Sequence, residues 1–200
     1  MTPEDRFNER YKEGSAPWDI GRPDFNLIQA VTTTPIAPCK TLEIGCGTGD
    51  NAVWLSQQHF TVVGVDTSEI AIEKAREKAA KANVSCTFAV LNFLKSHVEG
   101  APFAFAFDRG CFHTQDSASE RQTFAEQVNR HLGEKGLWLS VIGSADDECT
   151  EGPPKLTASG IVGAVEPYFE ILSLVSSHFE VHLPALPRAW VCLMRKRVAG

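Results

Sequence analysis

Three glycines at alternate positions, Gly45, Gly47 and Gly49, are interleaved with Cys46 and Thr48 and followed by Asp50. They come directly after the apolar stretch Thr41-Leu42-Glu43-Ile44. Glycine lets a main chain turn sharply and approach a ligand where any Cβ would clash. A loop of this kind at the carboxyl end of a strand lies where open α/β sheets bind their ligands. One strand later, Val62-Val63-Gly64-Val65-Asp66 ends in a carboxylate that can accept both hydroxyls of a ribose. Together the two features point to a cofactor built on adenosine.

Two such cofactors compete. The dinucleotide fingerprint G-x-G-x-x-G would need a glycine at position 50, which is Asp50. A carboxylate at a helix start repels a pyrophosphate and occupies the amides that should bind it. The same carboxylate, with Glu43 nearby, suits a ligand bearing an ammonium and a sulfonium. The electrostatics therefore favour S-adenosylmethionine over NAD.

The stretch Leu42-Glu43-Ile44-Gly45-Cys46-Gly47-Thr48-Gly49 resembles the first motif of the class I methyltransferases, and Val65-Asp66 resembles the second. The resemblance covers roughly residues 40–142, and the closing strands fit that family's seven-stranded sheet. Two further segments, Pro17-Trp18-Asp19-Ile20-Gly21-Arg22-Pro23 and Phe107-Asp108-Arg109-Gly110-Cys111-Phe112-His113, look similar to the thiopurine methyltransferase-like branch, which includes thiol and halide methyltransferases. This likeness implies that Trp18 closes over the methionine part of the cofactor and that Arg109 lines the active site. It further implies cofactor contacts from Glu43, the 45–49 loop, Asp66, Thr67 and Asp108. Asn92 and Phe93 follow the third strand, where the family often has an acidic residue facing adenine; asparagine departs from that pattern and keeps only an acceptor. Ile70 stacks on adenine if its helix opens at Ser68, and is otherwise core.

His113 is the histidine nearest the expected site, a candidate general base with an ordinary pKa close to neutral; the competing reading is structural. No Asp–Asp–Asn set of catechol type is present, and no metal is expected. In methyl transfer from a sulfonium the protein chiefly positions the nucleophile and excludes water. Without an evident base, the acceptor should already be nucleophilic near pH 7, as thiols, thiolates and halides are. Arg109, always charged, would attract such an anion. The expected function is methylation of a small soft nucleophile. The alternatives are methylation of protein or RNA, a non-catalytic cofactor-binding protein, and a dehydrogenase.

The elements that must carry these residues follow from the hydrophobic pattern. Strands are predicted over 41–44, 61–65, 84–90, 103–107, 136–142, 169–175 and 190–194. Helices are predicted over 51–58, from Ser68 to about 82, over 117–132, and over about 158–165. Near-continuous apolar strands alternating with helices give a parallel α/β sheet covered on both faces. Two final strands with no helix between them must be antiparallel. The predicted class is thus α/β: a Rossmann-like methyltransferase sheet of seven strands with helices on both faces and an antiparallel last strand. Residues 1–200 fit a single domain, with 1–35 as an N-terminal lid and 38–200 as the core. Trp18, between Pro17, Gly21 and Pro23, belongs to a rigid loop able to exclude water.

Net charge is −6, from 19 basic and 25 acidic side chains, and the one basic cluster, Arg195-Lys196-Arg197, reads as a solvated strand end. Nucleic acid is therefore disfavoured as a partner. The six cysteines show neither C-x-x-C nor zinc spacing and read as reduced thiols. The charged first residues carry no signal peptide, and no apolar run is long enough to span a bilayer. A cytoplasmic location is expected, with oligomeric state left open.

Overall fold

The computed structural model describes residues 3–34, 36–148, 154–183 and 185–198. Two helices come first, α1 (Pro3–Glu13) and α2 (Phe25–Thr33). The order then runs β1 (Lys40–Ile44), α3 (Asp50–Gln57), β2 (Thr61–Asp66), α4 (Glu69–Lys81), β3 (Cys86–Val90) and β4 (Phe103–Arg109). A short 3₁₀ turn at Phe112–Thr114 precedes α5 (Ala118–His131), β5 (Leu132–Gly143), α6 (Ala158–Val165), β6 (Phe169–His178) and β7 (Arg188–Lys196). The seven strands form one sheet in the order β3-β2-β1-β4-β5-β7-β6. All neighbours are parallel except β7, which is antiparallel to both β5 and β6. The Rossmann-like methyltransferase sheet is thus present, with its antiparallel strand slotted between two others.

Sequence determines where the helices begin. Ser68 accepts from the Ala71 amide and Thr157 from the Gly160 amide, while Ser117 and Glu120 close a reciprocal capping box. Each face of the sheet has its own core. Leu42, Phe124, Trp138 and Phe169 fill one side; Leu27, Leu55, Ile72, Phe105 and Phe107 fill the other. An irregularity between Phe103 and Phe105 breaks the β4 register, and these two side chains, two apart, enter opposite cores.

Several boundaries differ from expectation. The third strand starts at Cys86 rather than residue 84, because α4 is closed off by a left-handed Asn83 and the Val84 amide returns to Ala79 O. The fifth starts at Leu132, which pairs with Phe103 and so leaves the helix that was predicted to include it. The last two strands extend to His178 and from Arg188 to Lys196. Helices α1 and α2 were not anticipated: α1 is polar around most of its surface, and its apolar signal is little more than Phe7 and Tyr11, four apart. Pro184, Cys149 and most of the expected 151–154 loop lie outside the described residues. No helix among the described residues is long and apolar enough to cross a membrane.

Candidate active site

The glycine loop is pinned to the carboxyl end of β2, since the amides of Gly45 and Cys46 both donate to Val65 O, at 2.7 and 3.0 Å. All three glycines are left-handed, with φ of 67°, 51° and 84° at positions 45, 47 and 49. Space forbids a side chain as firmly as conformation does. A Cβ at 45 would stand 1.9 Å from Cys111 Sγ, and one at 49 would stand 2.9 Å from the Ala75 Cβ. Asp66 braces the same turn: its two oxygens accept from the amides of Gly47 and Ser68, each at 2.9 Å. Burial pushes the Asp66 carboxyl above its ordinary value, and the amides of Ser68, Gly47 and Thr67 counter that.

Beneath the loop lies Glu43, 1% exposed. Its Oε1 accepts from Asn51 Nδ2 at 2.9 Å, while Oε2 is buried with no hydrogen-bond partner among the described residues. Burial raises its pKa to about 8, against the lowering effects of Asn51 and the Ala52 amide. A bare backbone cradle beside an orphaned, buried carboxylate oxygen fits a ligand with an ammonium group, and an ammonium placed there would favour the charged carboxylate. Asp50, given the same part in the sequence argument, is instead paired with Lys78 at 2.7 Å. Lys78 also donates to Thr48 Oγ1, and that hydroxyl donates to Asp19 Oδ1 at 2.6 Å. The carboxyl left to meet a cationic ligand is therefore Glu43, which such a ligand would draw into its charged form.

The opposite rim comes from the N-terminal segment and the end of β4. The cleft, about 420 Å³ including space open to solvent, is lined by Tyr11, Trp18, Asp19, Ile20, Arg22, residues 45–51 and Arg109. Trp18 Nε1 donates to Tyr11 Oη at 2.9 Å, and the Trp18 ring meets Phe7 and Tyr11 edge-on. Arg109 ties this rim together. Its Nε donates to Asp24 Oδ2 at 2.6 Å, one Nη to Trp18 O at 3.1 Å, and the other Nη to Glu180 O. Asp24 is 1% exposed and also caps α2 through the Asn26 amide. The Asp24 amide donates to Asn51 Oδ1, which links the N-terminal segment to the residue that holds Glu43.

The structure thus brings Trp18, the 45–49 loop and Arg109 to one cleft, with Glu43 directly beneath. Other expected residues lie elsewhere. The Cys46 thiol turns into the core against Gly64, so position 46 offers the cleft mainly its backbone. Asp108 is fully buried: Oδ1 accepts from the amides of Cys111 and Phe112, and Oδ2 from Trp138 Nε1 at 2.9 Å. Desolvation raises its pKa to about 6. Asp108 shapes the turn after β4 rather than facing the cleft. His113 is likewise withdrawn, wedged between Gly110 and Gly143 under Phe179. Its Nδ1 accepts from the Gly143 amide at 2.6 Å, and burial, aided by the Arg109 charge, lowers its pKa to about 3. It is a neutral packing histidine, poorly placed and too weakly basic to serve as the general base considered above. The Phe93 side chain packs into the core on Phe124 and His131. Ile70 lies under α1 in a cluster with Phe7, Tyr11 and Trp18. Asn92 Oδ1 accepts from the Leu94 amide, and Thr67 sits between β2 and the Ser68 cap.

Sequence reasoning missed Tyr11, Asp19, Asp24, Asn51 and Glu180. Asp24 carried a usable signal, an N-cap residue just before an apolar run; Glu180 carried none, since only its main-chain carbonyl reaches Arg109. Among the described residues no group of three or more His, Cys, Asp or Glu could hold a metal ion.

Comparison with known proteins agrees with this geometry. A family model described as a methyltransferase domain matches residues 41–136. A probable thiol methyltransferase of Arabidopsis thaliana is 24% identical over 179 residues, 88% of this chain and 78% of that protein. A thiocyanate methyltransferase of Brassica oleracea is 36% identical over 67 residues, 34% of this chain and only 30% of that protein. Among solved structures, one described by the conversion of a disulfide bond into a thioacetal group during echinomycin biosynthesis superposes with a TM-score of 0.85. It covers 98% of this chain and 92% of its own, at 22% identity, a likeness of fold. Glycine loop, sheet order and these likenesses support an S-adenosylmethionine-dependent methyltransferase, one that resembles the class I family and its thiol methyltransferase branch.

Proposed function

We propose that the chain methylates a soft small-molecule nucleophile, a thiol or a related anion. The observation that carries this reading is that the acidic groups among the described residues lining the cleft are already engaged by protein partners, and that the nearby histidine is buried. Asp19 accepts from Thr48, Asp50 is paired with Lys78, and His113 is neutral and turned away. The cofactor supplies an electrophilic methyl group; Glu43 and the 45–49 backbone would hold it, and Trp18 and Arg109 would keep the lid over it and water out. An amine or hydroxyl acceptor needs its proton removed, whereas a thiolate or soft anion arrives ready to attack. The relatives described as thiol and thiocyanate methyltransferases support the same acceptor class.

The organisation belongs to this proposal: residues 38–200 act as one core over which 1–35 closes, and the cysteines free among the described residues fit a reducing, cytoplasmic compartment. The test uses purified protein, labelled methyl donor and a panel of thiols, thiocyanate, halides, amines and hydroxyl compounds. Label should enter the thiol and soft-anion members. Transfer confined to amines, to hydroxyls, or to precipitated protein or RNA would overturn the reading.

A further inference from the structure

Two guanidinium groups line the cleft, and their circumstances differ. Arg109 is committed on all sides: a buried carboxylate and two main-chain carbonyls take its donors, and its side chain is only 9% exposed. An anion could claim it only by orphaning Asp24, which is costly for a buried charge. Arg22 stands at the mouth with its side chain 60% exposed, and its Nη2 reaches Glu180 Oε1 at 2.9 Å. That is the one polar contact of its side chain among the described residues. An exposed pair of this kind contributes little and exchanges readily.

Residue 180 is therefore held in two ways. Its main-chain carbonyl is fixed by Arg109, while its carboxylate only rests on Arg22. A ligand arriving from solvent can displace the second contact without disturbing the first. The acidic groups near the mouth are otherwise satisfied, Asp19 by the Thr48 hydroxyl and Asp50 by Lys78. In a chain of net charge −6, Arg22 is the labile cation of this cleft.

We propose that Arg22 is the specificity-determining residue, exchanging the Glu180 carboxylate for an anionic group on the acceptor and so selecting soft nucleophiles that carry negative charge away from the reacting atom. This rests on the acceptor class proposed above. In the reaction, the acceptor sulfur forms a bond to the methyl carbon, and the carbon–sulfonium bond breaks with its electron pair returning to the donor's sulfur. Charge on the reacting thiolate is consumed, giving a neutral thioether; a remote carboxylate is not, and stays on Arg22 throughout. Arg22 acts in binding, with its effect in KM rather than kcat.

The test compares 3-mercaptopropionate with 3-mercaptopropionamide, whose reacting atoms are alike. A second readout needs no turnover: propionate against propionamide as ligands, read by thermal shift with the demethylated cofactor present. In the wild type the acid should have the lower KM and propionate alone should shift the melting point. Arg22→Gln should raise the KM of the acid by about tenfold, the loss expected when a charge-assisted contact is removed, and leave the amide unchanged. Arg22→Lys should recover part of that loss, and Glu180→Gln should lower the KM of the acid. An equal effect of Arg22→Gln on acid and amide, or none on either, overturns the inference. So does a propionate shift that persists in Arg22→Gln. If neither thiol is methylated but propionate binding still requires Arg22, the acceptor class falls while the anion site stands.

Discussion

The two rims of the cleft are built by different means. The cofactor rim is local: a strand, three left-handed glycines and a helix start, all within residues 40–57. The facing rim is assembled from far apart. Arg109 reaches back 85 residues to Asp24 and 91 to Trp18, and forward 71 to Glu180. The first rim is shaped by which conformations and volumes a backbone permits, the second by one guanidinium filling the gap between three chain segments. The contrast teaches that the glycine-loop rim is written in contiguous residues, whereas the facing rim depends on pairings that no contiguous stretch contains.

The sharpest way to break the contrast is at Arg109. Arg109→Met should strand the buried Asp24 charge and cost about 3–5 kcal/mol of stability, read from the denaturant midpoint. Arg109→Met combined with Asp24→Leu should recover much of this. If the single variant is as stable as the wild type, Arg109 does not hold these three segments together. On the other rim, Gly49→Ala would force an unfavourable φ of 84° and bring a Cβ within 3.2 Å of the Ala75 backbone. Left-handed strain and overpacking together should cost about 2–5 kcal/mol, with cofactor affinity lost by calorimetry. Unchanged binding would show the loop to be more adaptable than its packing implies.

Glu43 sharpens the comparison through pH. Its pKa near 8 in the free protein means that binding an ammonium beside it must expel a proton below that pH. Donor affinity should therefore weaken as pH falls from about 8, and the binding enthalpy should vary with buffer ionisation enthalpy. Glu43→Gln should abolish both effects and weaken binding at high pH by about 1.5–3 kcal/mol. For the free protein the sign is opposite. The stability that Glu43 contributes as a neutral acid is complete below its ordinary value of 4.5 and is lost as pH rises toward about 8. The smallest effect is expected at His113. His113→Asn should cost about 1 kcal/mol, a single neutral hydrogen bond, and leave the pH–rate profile between pH 5 and 8 unaltered. Loss of an acidic limb from that profile in the variant would restore the general-base reading.

Legibility in the sequence followed the same division. Glu43 to Gly49 and Asp66 could be read because a β-branched run, alternating glycines and a strand-end carboxylate each impose a local conformation. The helix opened by Ser68 announced itself through its cap, whereas the capping roles of Ser117 and Thr157 emerged only in the structure. Asp108 and His113 were misjudged because position at a strand end does not reveal whether a side chain turns toward the cleft or back toward Trp138 and the Gly143 amide. Arg109 was placed correctly in the cleft, yet its donors were expected for a ligand and are spent on the protein. Helix α1 was invisible, because what holds it is tertiary: Lys74 donates to Tyr11 O, and Ser68 Oγ donates to Asn8 Oδ1.

The insertion of β7 between β5 and β6 has a consequence for how the chain matures. As the polypeptide is synthesised, β5 and β6 emerge first, and neither is the other's neighbour in the finished sheet. Only when residues 188–196 appear, bringing the buried Ala189, Cys192 and Met194, is the open flank of β5 covered and β6 joined to the sheet. A nascent chain halted before Arg188 would thus expose a long unpaired border to its neighbours on the ribosome, so this flank of the sheet waits for β7 to be made.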